Sequence, residues 1–448
     1  MMQIKTNFLE TATEQQKFRS GLIMWFLLFF GYMFFCVNWL IMSKVEDGWK
    51  GKFSLKDDNQ TLLESVNYSL YLARGIATIG VSWLMVKLTH KYAVILAMVL
   101  NTAAFPLVFS SSLPLFIVGR VLMACGGTML IIFIQPVLSK FFSLGAKGVL
   151  TIFSSWAYVL GALLVNLLFI STDVKKILTD KWQICVGVAG LMTYFPVLYY
   201  CLFGKNFDAS PQTKEIVSDK PDSYLGLLKE KDCWLWIFFY SFMLVVSVMV
   251  SSFATKVLLN VNSELKGSVG KADWASLYTI IFYVFCLFGF FLGRFTKPKI
   301  QRKPIVVLAC TIVSLLWFIV LVAARAISNP IAATVIIYIC VALIAFFGMG
   351  IQTVILYIPH EYSGNENPKR ITTFYSCLWG IGYILFAIYY FITSRIFDAH
   401  PYYGYMSSAF VIMLFMLLYG AFSLLIKEPR PDWPMFPWGK VKENNVNL

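Results

Sequence analysis

The hydrophobic residues of this chain fall into long runs separated by short polar segments. Each run approaches or exceeds the roughly 20 apolar residues that an α-helix needs to cross a bilayer. Backbone amides inside a bilayer must be satisfied within the same segment, so the runs are predicted to be helices rather than strands. Twelve spans are predicted: 20–43, 66–87, 92–110, 113–139, 148–170, 183–204, 234–257, 275–294, 304–324, 330–358, 371–394 and 406–426.

The composition points to the same class. Of the 448 residues, 59% are hydrophobic and 13% are charged, whereas soluble domains carry about 25% charged residues. Too little polar surface remains to cover a water-soluble particle, which excludes a soluble enzyme, a nucleic-acid binder and a disulfide scaffold. The net charge of +14 is therefore assigned to basic loops beside a membrane.

The basic residues are distributed unevenly between the predicted loops. With the amino terminus inside, the inner segments hold 23 lysines and arginines and the outer loops hold 12, while Arg74 and Arg120 lie within spans. Inner loops of membrane proteins are enriched in positive charge. Both termini are therefore predicted to be cytoplasmic, and the short loops favour a bacterial plasma membrane.

The longest segment without hydrophobic periodicity, 205–233, leaves six spans on each side. Gly126 and Gly348 are 222 positions apart, and at the same offset Thr-Ile-Phe-Ser from 151 matches Thr-Phe-Tyr-Ser from 373. These matches predict a parallel repeat, which places a solute site between the halves near the membrane midplane. The predicted domains are a cytoplasmic N-terminal segment 1–19, an N-terminal six-helix bundle 20–204, a cytoplasmic linker 205–233, a C-terminal six-helix bundle 234–426 and a cytoplasmic tail 427–448.

The fourth span carries an arginine-and-glycine pattern, Gly119-Arg120 followed by Gly126-Gly127. With twelve spans, a central loop and two matching halves, the chain resembles the major facilitator superfamily of secondary transporters. The resemblance implies an all-α fold of two pseudo-symmetric six-helix bundles that works by alternating access. It also implies gating or motif roles for residues of this span and of the basic turns after spans two and eight: Gly119, Gly126, Gly127, Lys91, Gly293, Arg294 and Lys297.

Two local features bear on the branch of that family. Where the family usually has Gly-x-x-x-Asp-Arg-x-Gly-Arg after span two, this chain reads Val-Lys-Leu-Thr-His-Lys-Tyr-Ala from residue 86, so the glycines and the aspartate are absent. Gly382-Tyr383, Asp398 and the stretch 223–228 are similar to the cyanate/nitrate-type branch. The subfamily therefore stays open.

Arg74 is the clearest candidate for a binding residue. Projected at about 100° per residue, polar side chains of span two fall on one arc: Glu64, Asn67, Tyr68, Tyr71, Arg74, Thr78 and Ser82. An arginine inside a span normally faces protein or water, so Arg74 is predicted to be the main ligand of the solute and Arg120 a supporting one. The alternatives are a structural tether for Arg74, paired with Glu64 or a carbonyl, and an organising role for Arg120 between helices.

Polar positions on other spans complete the predicted substrate site. Serine, tyrosine and asparagine in spans are also ordinary packing devices, so a packing role is the alternative for each. The substrate-binding candidates are Arg74, Arg120, Tyr71, Asn38, Tyr158, Tyr240, Ser251 and Tyr383.

Acidic residues are absent from the interior of the predicted spans. Of the 23 acids only Glu64 falls on the polar arc, at its outer end, and the three histidines lie outside the predicted spans. Proton-coupled transport usually needs an embedded group that titrates, whereas arginine stays charged. The pattern therefore predicts a facilitator or exchanger of a small organic or inorganic anion. The alternative is a neutral solute, such as a sugar, an amino acid or a nucleoside, with structural arginines.

Other functional classes have less support. No catalytic, phosphate-binding or metal-binding motif occurs, and none of the nine cysteines forms a C-x-x-C pair, so an enzyme, a cofactor and a metal are not expected. A channel is disfavoured by the two-halves repeat. The expected partners are the small-molecule substrate and the lipid bilayer, without nucleic acid, and the protein is expected to be a monomer.

Overall fold

The computed structural model describes residues 8–55, 64–207, 223–291, 300–355, 358–362, 368–399 and 403–435. Helices and turns account for almost all of these residues, and no β-strand occurs in the described part of the chain. The chain divides into two compact units, Met1–Gln212 and Thr213–Leu448. The division falls inside the predicted linker.

The described part of the amino-terminal unit contains ten helices, of which several are short. They are α1 Phe8–Thr11, α2 Glu14–Lys44, α3 Glu46–Phe53, α4 Ser65–Thr102, α5 Ala104–Leu107, α6 Leu113–Phe141, α7 Leu144–Leu168, α8 Thr172–Asp180, α9 Trp182–Met192 and α10 Tyr194–Phe203.

Helix α2 occupies the centre of this unit, where it packs against α6, α7, α9 and α10. It begins at Glu14 rather than at the predicted residue 20 because Thr13 caps it. The Thr13 hydroxyl accepts a hydrogen bond from the Gln16 amide (3.3 Å), and the Gln16 side chain accepts one from the Thr13 amide (3.0 Å). This reciprocal pair satisfies two donors that a helix start otherwise leaves open.

Helix α4 contains both the second and the third predicted spans. A single residue, Thr89, interrupts it with φ 61° and ψ 161°. Positive φ is strained for a β-branched residue, and the neighbouring side chain of His90 is fully buried. The prediction that all three histidines lie outside the spans is therefore wrong for His90, which belongs to the apolar helical segment Lys87–Leu107.

Where the structure describes it, the carboxy-terminal unit contains eight α-helices, one π-helix and two 3₁₀ turns. They are α11 Tyr224–Leu227, α12 Lys231–Leu244, the π-helix Val245–Met249, α13 Phe253–Val261, the 3₁₀ turn Ser263–Gly267, α14 Trp274–Gly289, α15 Lys303–Ala326, α16 Pro330–Ile355, the 3₁₀ turn Ile358–Glu361, α17 Pro368–Ala399 and α18 Gly404–Leu425.

Within this unit α16 packs against α14 and α15, and α12 packs against α17 and α18. The predicted seventh span is discontinuous, because α12 passes into the π-helix and a turn separates that from α13. The described residues that follow α18, 426–435, are not helical. Gln301 donates hydrogen bonds to the carbonyls of Pro431 and Pro434, which ties the described part of the tail to the start of α15.

The structure agrees with the predicted class of polytopic α-helical membrane protein. Ten helices of the described chain are long and apolar enough to span a membrane, and Trp274–Gly289 is a shorter apolar helix. These account for eleven predicted spans, and the remaining one, 66–87, is the part of α4 before Thr89. Each of the twelve predicted spans therefore has a helix at its place in the chain.

Candidate functional site

Arg74 lies inside the amino-terminal unit, with 4% of its surface exposed. The opposite face of helix α4 is exposed at Leu72, Ile76 and Ile79. The Arg74 side chain therefore points into the unit. The guanidinium lies 4.8 Å from the ring centroid of Trp39, which is cation–π distance. The polar arc predicted for span two therefore faces protein at Arg74.

Aromatic side chains of α2 surround this guanidinium. Its Nη2 is 3.4 Å from the Tyr32 hydroxyl, to which it donates a hydrogen bond, and its Cζ is 5.9 Å from the centroid of the Phe35 ring. Tyr32, Phe35 and Trp39 are spaced three and four residues apart, so they share one face of α2. The surroundings of Arg74 thus offer a fixed positive charge, aromatic rings and a hydroxyl.

Two further predicted residues meet at Trp39. The rings of Trp39 and Tyr71 contact edge to face at 5.6 Å, and the Tyr158 ring of α7 lies 5.9 Å from Trp39. Tyr71 is buried and Tyr158 is half-buried. Three helices therefore contribute to one cluster around Arg74, which we call the Trp39 cluster: Tyr32, Phe35, Trp39, Tyr71, Arg74 and Tyr158.

Arg120 of α6 is directed at the backbone and side chain of α2. Its Nη1 donates to the Asn38 carbonyl (2.9 Å) and to Asn38 Oδ1 (2.6 Å), and its Nη2 donates to the Trp39 carbonyl (3.0 Å). Asn38 Nδ2 in turn donates to the Val186 carbonyl of α9 at 3.4 Å. Arg120 and Asn38, both predicted as substrate ligands, thus hydrogen-bond to each other and connect three helices.

The glycines of the fourth-span pattern are sites of close approach. A Cβ on Gly127 would lie 2.2 Å from the Phe35 ring, and a Cβ on Gly126 would lie 2.2 Å from the Ala97 carbonyl oxygen of α4. Only glycine leaves room for both contacts. Gly119 likewise approaches Leu107 of α5. The pattern therefore sets how closely α6 lies to α2, α4 and α5.

The carboxy-terminal unit brings two predicted residues together. The rings of Tyr240 on α12 and Tyr383 on α17 contact at 6.2 Å, nearly perpendicular to each other. Gly382 permits this approach, since a Cβ there would lie 2.7 Å from Tyr240 Cδ1. Tyr240 and Tyr383 therefore form a second aromatic pair on helices that pack together.

Ser251 lies apart from that pair, in the turn that breaks the predicted seventh span. Its hydroxyl accepts a hydrogen bond from the Tyr283 hydroxyl at 3.1 Å. Two carbonyls that the break leaves without helical partners accept hydrogen bonds from α14, that of Val250 from Tyr278 (3.0 Å) and that of Ser251 from Thr279 (3.2 Å). The break is therefore satisfied by side-chain hydroxyls, as an irregular segment at membrane depth requires.

The predicted basic turns are only partly described. Lys91 is half-buried two residues after the break at Thr89, while Gly293, Arg294 and Lys297 lie outside the described residues. His90 takes the place of the family's aspartate. One ring nitrogen, Nε2, is 3.0 Å from the Phe133 carbonyl, and the other is 3.4 Å from the Tyr200 hydroxyl. This side chain is thus held inside its own unit.

Three residues of the Trp39 cluster were not among the predicted ligands. Tyr32, Phe35 and Trp39 carry no charge, and aromatic residues are common throughout the spans. Their spacing on one face of α2, opposite the polar arc of α4, is the signal that could have found them. Tyr278 and Tyr283 of α14 were missed for a different reason, because nothing in the sequence marks the break that they satisfy.

The groups gathered around Trp39 are suited to noncovalent binding. Among the described residues no group of three or more histidine, cysteine, aspartate or glutamate side chains could hold a metal ion. The Trp39 cluster offers a guanidinium, hydroxyls and ring faces, which are groups that bind and orient a polar solute.

Comparison with known proteins agrees with a transport protein of many spans. Residues 116–398 match the Mycoplasma MFS transporter family. An uncharacterised protein of Mesomycoplasma hyopneumoniae (strain 232) is 30% identical, and the alignment covers 96% of each chain. A major facilitator superfamily transporter of Mycoplasma pneumoniae is 21% identical over 84% of this chain and 86% of its own.

The fold is also found among solved structures. The crystal structure of a D-xylose–proton symporter superimposes with a TM-score of 0.68 and 15% identity, covering 91% of this chain and 98% of that one. The present chain belongs to the major facilitator superfamily. It is a multi-pass membrane transporter of a small solute and not an enzyme.

Proposed function

We propose that this transporter carries a small organic or inorganic anion and that Arg74 is the group that binds it. The observation that carries the proposal is the placement of a permanently charged guanidinium inside the amino-terminal unit, against Trp39 and within hydrogen-bonding distance of Tyr32. A guanidinium binds carboxylate or phosphate through paired hydrogen bonds. Charge and geometry together favour an anion at this position.

The distribution of acids supports the same choice. The interior of the predicted spans contains no aspartate or glutamate. Glu64, the acid on the polar arc, lies at the start of α4. An anionic solute would therefore meet little like charge along the spans. Arg120 supports the site indirectly in this proposal, because its hydrogen bonds fix the part of α2 that carries Trp39.

Transport proceeds by alternating access, and the protein works as a facilitator or an exchanger. His90, which lies inside a span, is held by the Phe133 carbonyl and the Tyr200 hydroxyl and is not part of the Trp39 cluster, so the proposal gives it no role in proton coupling. We place the protein in the plasma membrane with both termini in the cytoplasm, as the excess of lysine and arginine in the inner segments favours. Labelling of single cysteines introduced into exposed loops from one side of the membrane tests this orientation.

A neutral solute is the second candidate, favoured by the aromatic side chains around Arg74. Trp39, Tyr71 and Tyr158 could stack on the ring of a sugar or nucleoside, with Arg74 acting as a tether for α2. One solved structure that shares the fold is that of a D-xylose–proton symporter, at an identity too low to transfer its substrate.

Uptake into proteoliposomes tests the proposal. Replacing Arg74 with Ala or Lys should raise the half-saturation concentration for the anion about 10-fold or more, since a hydrogen bond to a charged group contributes about 1.5–3 kcal/mol. Arg325→Lys is the matched control, because this arginine is exposed at the end of α15. Unchanged uptake of every tested anion by Arg74→Ala would exclude Arg74 from the site.

Inhibition by paired analogues separates the two candidates. Each pair consists of a carboxylate and the corresponding amide, which have similar shapes and different charges. An anion carrier should be inhibited by the carboxylate and not by the amide. Equal inhibition by both members of each pair would favour the neutral solute.

A further inference from the structure

A groove opens at the end of the amino-terminal unit where α2 begins. Its volume is about 330 Å³. The lining combines two cationic side chains, two hydroxyls, an amide and two apolar residues: Arg19, Lys205, Thr11, Ser20, Gln16, Phe8 and Ala12. We call it the amino-terminal groove. It lies outside the Trp39 cluster, and the proposed transport function does not use it.

The groove is built on a fixed floor. The Phe8 amide donates a hydrogen bond to the Asn206 carbonyl at 3.2 Å, and the Phe8 ring stacks on Phe141 of α6 at 6.3 Å. Lys205 Nζ lies 5.5 Å from the centroid of the Phe8 ring. These contacts join the start of the described chain to the segment that follows α10, so Phe8 and Lys205 are held at the same end of the unit.

The charge of the groove is positive. Its lining contains Arg19 and Lys205 and no acidic residue. Arg19 is exposed and forms no ion pair with any other residue that the structure describes. Glu14, one of the acids at this end, is paired with Lys17 at 2.7 Å, and Glu10 is exposed outside the lining. An anionic group is therefore the ligand that this lining favours.

Apolar side chains flank the two cations directly. Phe18, beside Arg19 in the chain, is 48% exposed, and Leu202 and Phe203, just before Lys205, are 73% and 45% exposed. Helices α2 and α10, which carry them, pack together. Helix α2 and the segment Trp182–Phe203, to which α10 belongs, have the length and hydropathy of membrane spans. A soluble anion would gain nothing from these side chains, whereas a lipid places its headgroup over the cations and its acyl chains along the apolar band.

We propose that the amino-terminal groove binds the phosphate headgroup of an anionic phospholipid, with Arg19 and Lys205 contacting the phosphate. The Thr11 hydroxyl donates to the Phe8 carbonyl at 3.5 Å. The hydroxyl of Ser20 supplies a donor for the headgroup oxygens, and the acyl chains lie against Phe18 and Leu202. The lipid thereby links the start of α2 to the segment after α10. Basic pockets between transmembrane helices are known to recognise such headgroups.

Native mass spectrometry of the full-length protein with phosphatidylglycerol in mixed detergent micelles tests the proposal. In the Arg19→Gln/Lys205→Gln variant the affinity for phosphatidylglycerol should fall about 30-fold, because each basic side chain near an anionic surface contributes about 1 kcal/mol. The charge-preserving variant Arg19→Lys/Lys205→Arg should keep the affinity. If the double variant does not fold, Lys205→Gln alone should lower the affinity about fivefold.

The controls distinguish a specific lipid site from diffuse charge and from a phosphate site. Lys140→Gln/Lys229→Gln removes two basic residues outside the groove and should bind phosphatidylglycerol like the unmodified protein. Phosphatidylcholine should bind weakly to all variants, and excess inorganic phosphate should not displace phosphatidylglycerol. Equal losses in the groove variant and the control variant, or displacement of the lipid by phosphate, would overturn the proposal.

Discussion

Replacing Arg120 with Met tests whether this residue holds α2 in place. The substitution keeps most of the side-chain volume and removes three hydrogen bonds to α2: 2.9 and 2.6 Å to the carbonyl and the side-chain oxygen of Asn38, and 3.0 Å to the carbonyl of Trp39. Arg120 is 1% exposed, so water cannot replace these bonds. We expect the amino-terminal unit to be destabilised.

The magnitude follows from what each acceptor loses. The two carbonyls keep their partners within α2, because a carbonyl oxygen has two lone pairs. Asn38 Oδ1 loses its only donor in the described chain, and a buried polar atom left without a partner costs about 1–3 kcal/mol. Removing the guanidinium also ends the cost of burying its Nε, which has no hydrogen-bond partner among the described residues. We therefore expect a net loss of about 2 kcal/mol in the free energy of unfolding.

A double-mutant cycle with Asn38→Leu isolates the pair. The free energy of unfolding is measured for the unmodified protein, both single variants and the double variant, by titrating purified protein in micelles with SDS. A charge-assisted bond should give a coupling energy of about 1.5–3 kcal/mol, above the mean of about 0.6 kcal/mol for hydrogen bonds between membrane helices. Additivity of the two substitutions within about 0.5 kcal/mol would refute the assigned role of Arg120.

Three further expectations concern stability, each measured as a melting temperature in detergent. Gly126→Ala should lower the melting temperature strongly, because the new Cβ would lie 2.2 Å from a carbonyl oxygen of α4. The control Gly80→Ala, whose Cβ would have nothing within 4 Å, should leave the melting temperature equal or higher. Similar losses in both variants would contradict the packing role of Gly126. Tyr278→Phe should cost about 1–2 kcal/mol because a carbonyl in the broken span loses its donor at 3.0 Å, and an unchanged value would show that the break does not need it. Arg370→Gln should lower the melting temperature more than Lys427→Gln. The side chain of Arg370 is 3% exposed in its ion pair, whereas that of Lys427 is 70% exposed, and exposed pairs contribute only about 0–1 kcal/mol.

The predictions from sequence were correct for features that depend on one helix alone, such as its length and which of its residues share a face. Hydrophobic runs specified the helices because a bilayer imposes a minimum length on each. The polar arc of span two was confirmed at Arg74, because the helical period alone determines which residues share a face. Neither result depends on the partner helices.

Two helix breaks were not predicted, for a common physical reason. Neither Thr89 nor the segment 245–252 is next to a proline or a glycine, the residues that usually interrupt a helix. At the break in 245–252, side chains of α14, distant in sequence, satisfy two open carbonyls. Near Thr89 the ring of His90 bonds to a carbonyl of α6 and to Tyr200 of α10. Such partners become visible only when the helices are placed together.

The contacts of the two arginines are a second example of partners that the sequence does not reveal. In the sequence, Arg74 and Arg120 are each a single cation in an apolar span, and nothing there indicates that both contact the same residue. In the structure both act on Trp39, from different sides: Arg120 binds its carbonyl, and Arg74 lies 4.8 Å from its ring. A substitution at Arg120 that shifts α2 would therefore move the ring that covers Arg74.

This arrangement changes how transport data on the arginines must be interpreted. Loss of transport in an Arg120 variant does not by itself indicate contact with the solute, because displacement of Trp39 produces the same loss. Trp39→Phe separates the two explanations, since it keeps the backbone carbonyl that Arg120 binds and reduces the ring surface beside Arg74. If Arg120 acts through Trp39, Trp39→Phe should weaken transport in the unmodified protein and have a smaller effect in Arg120→Met. Independent effects of the two substitutions on the half-saturation concentration would instead place Arg120 in contact with the solute.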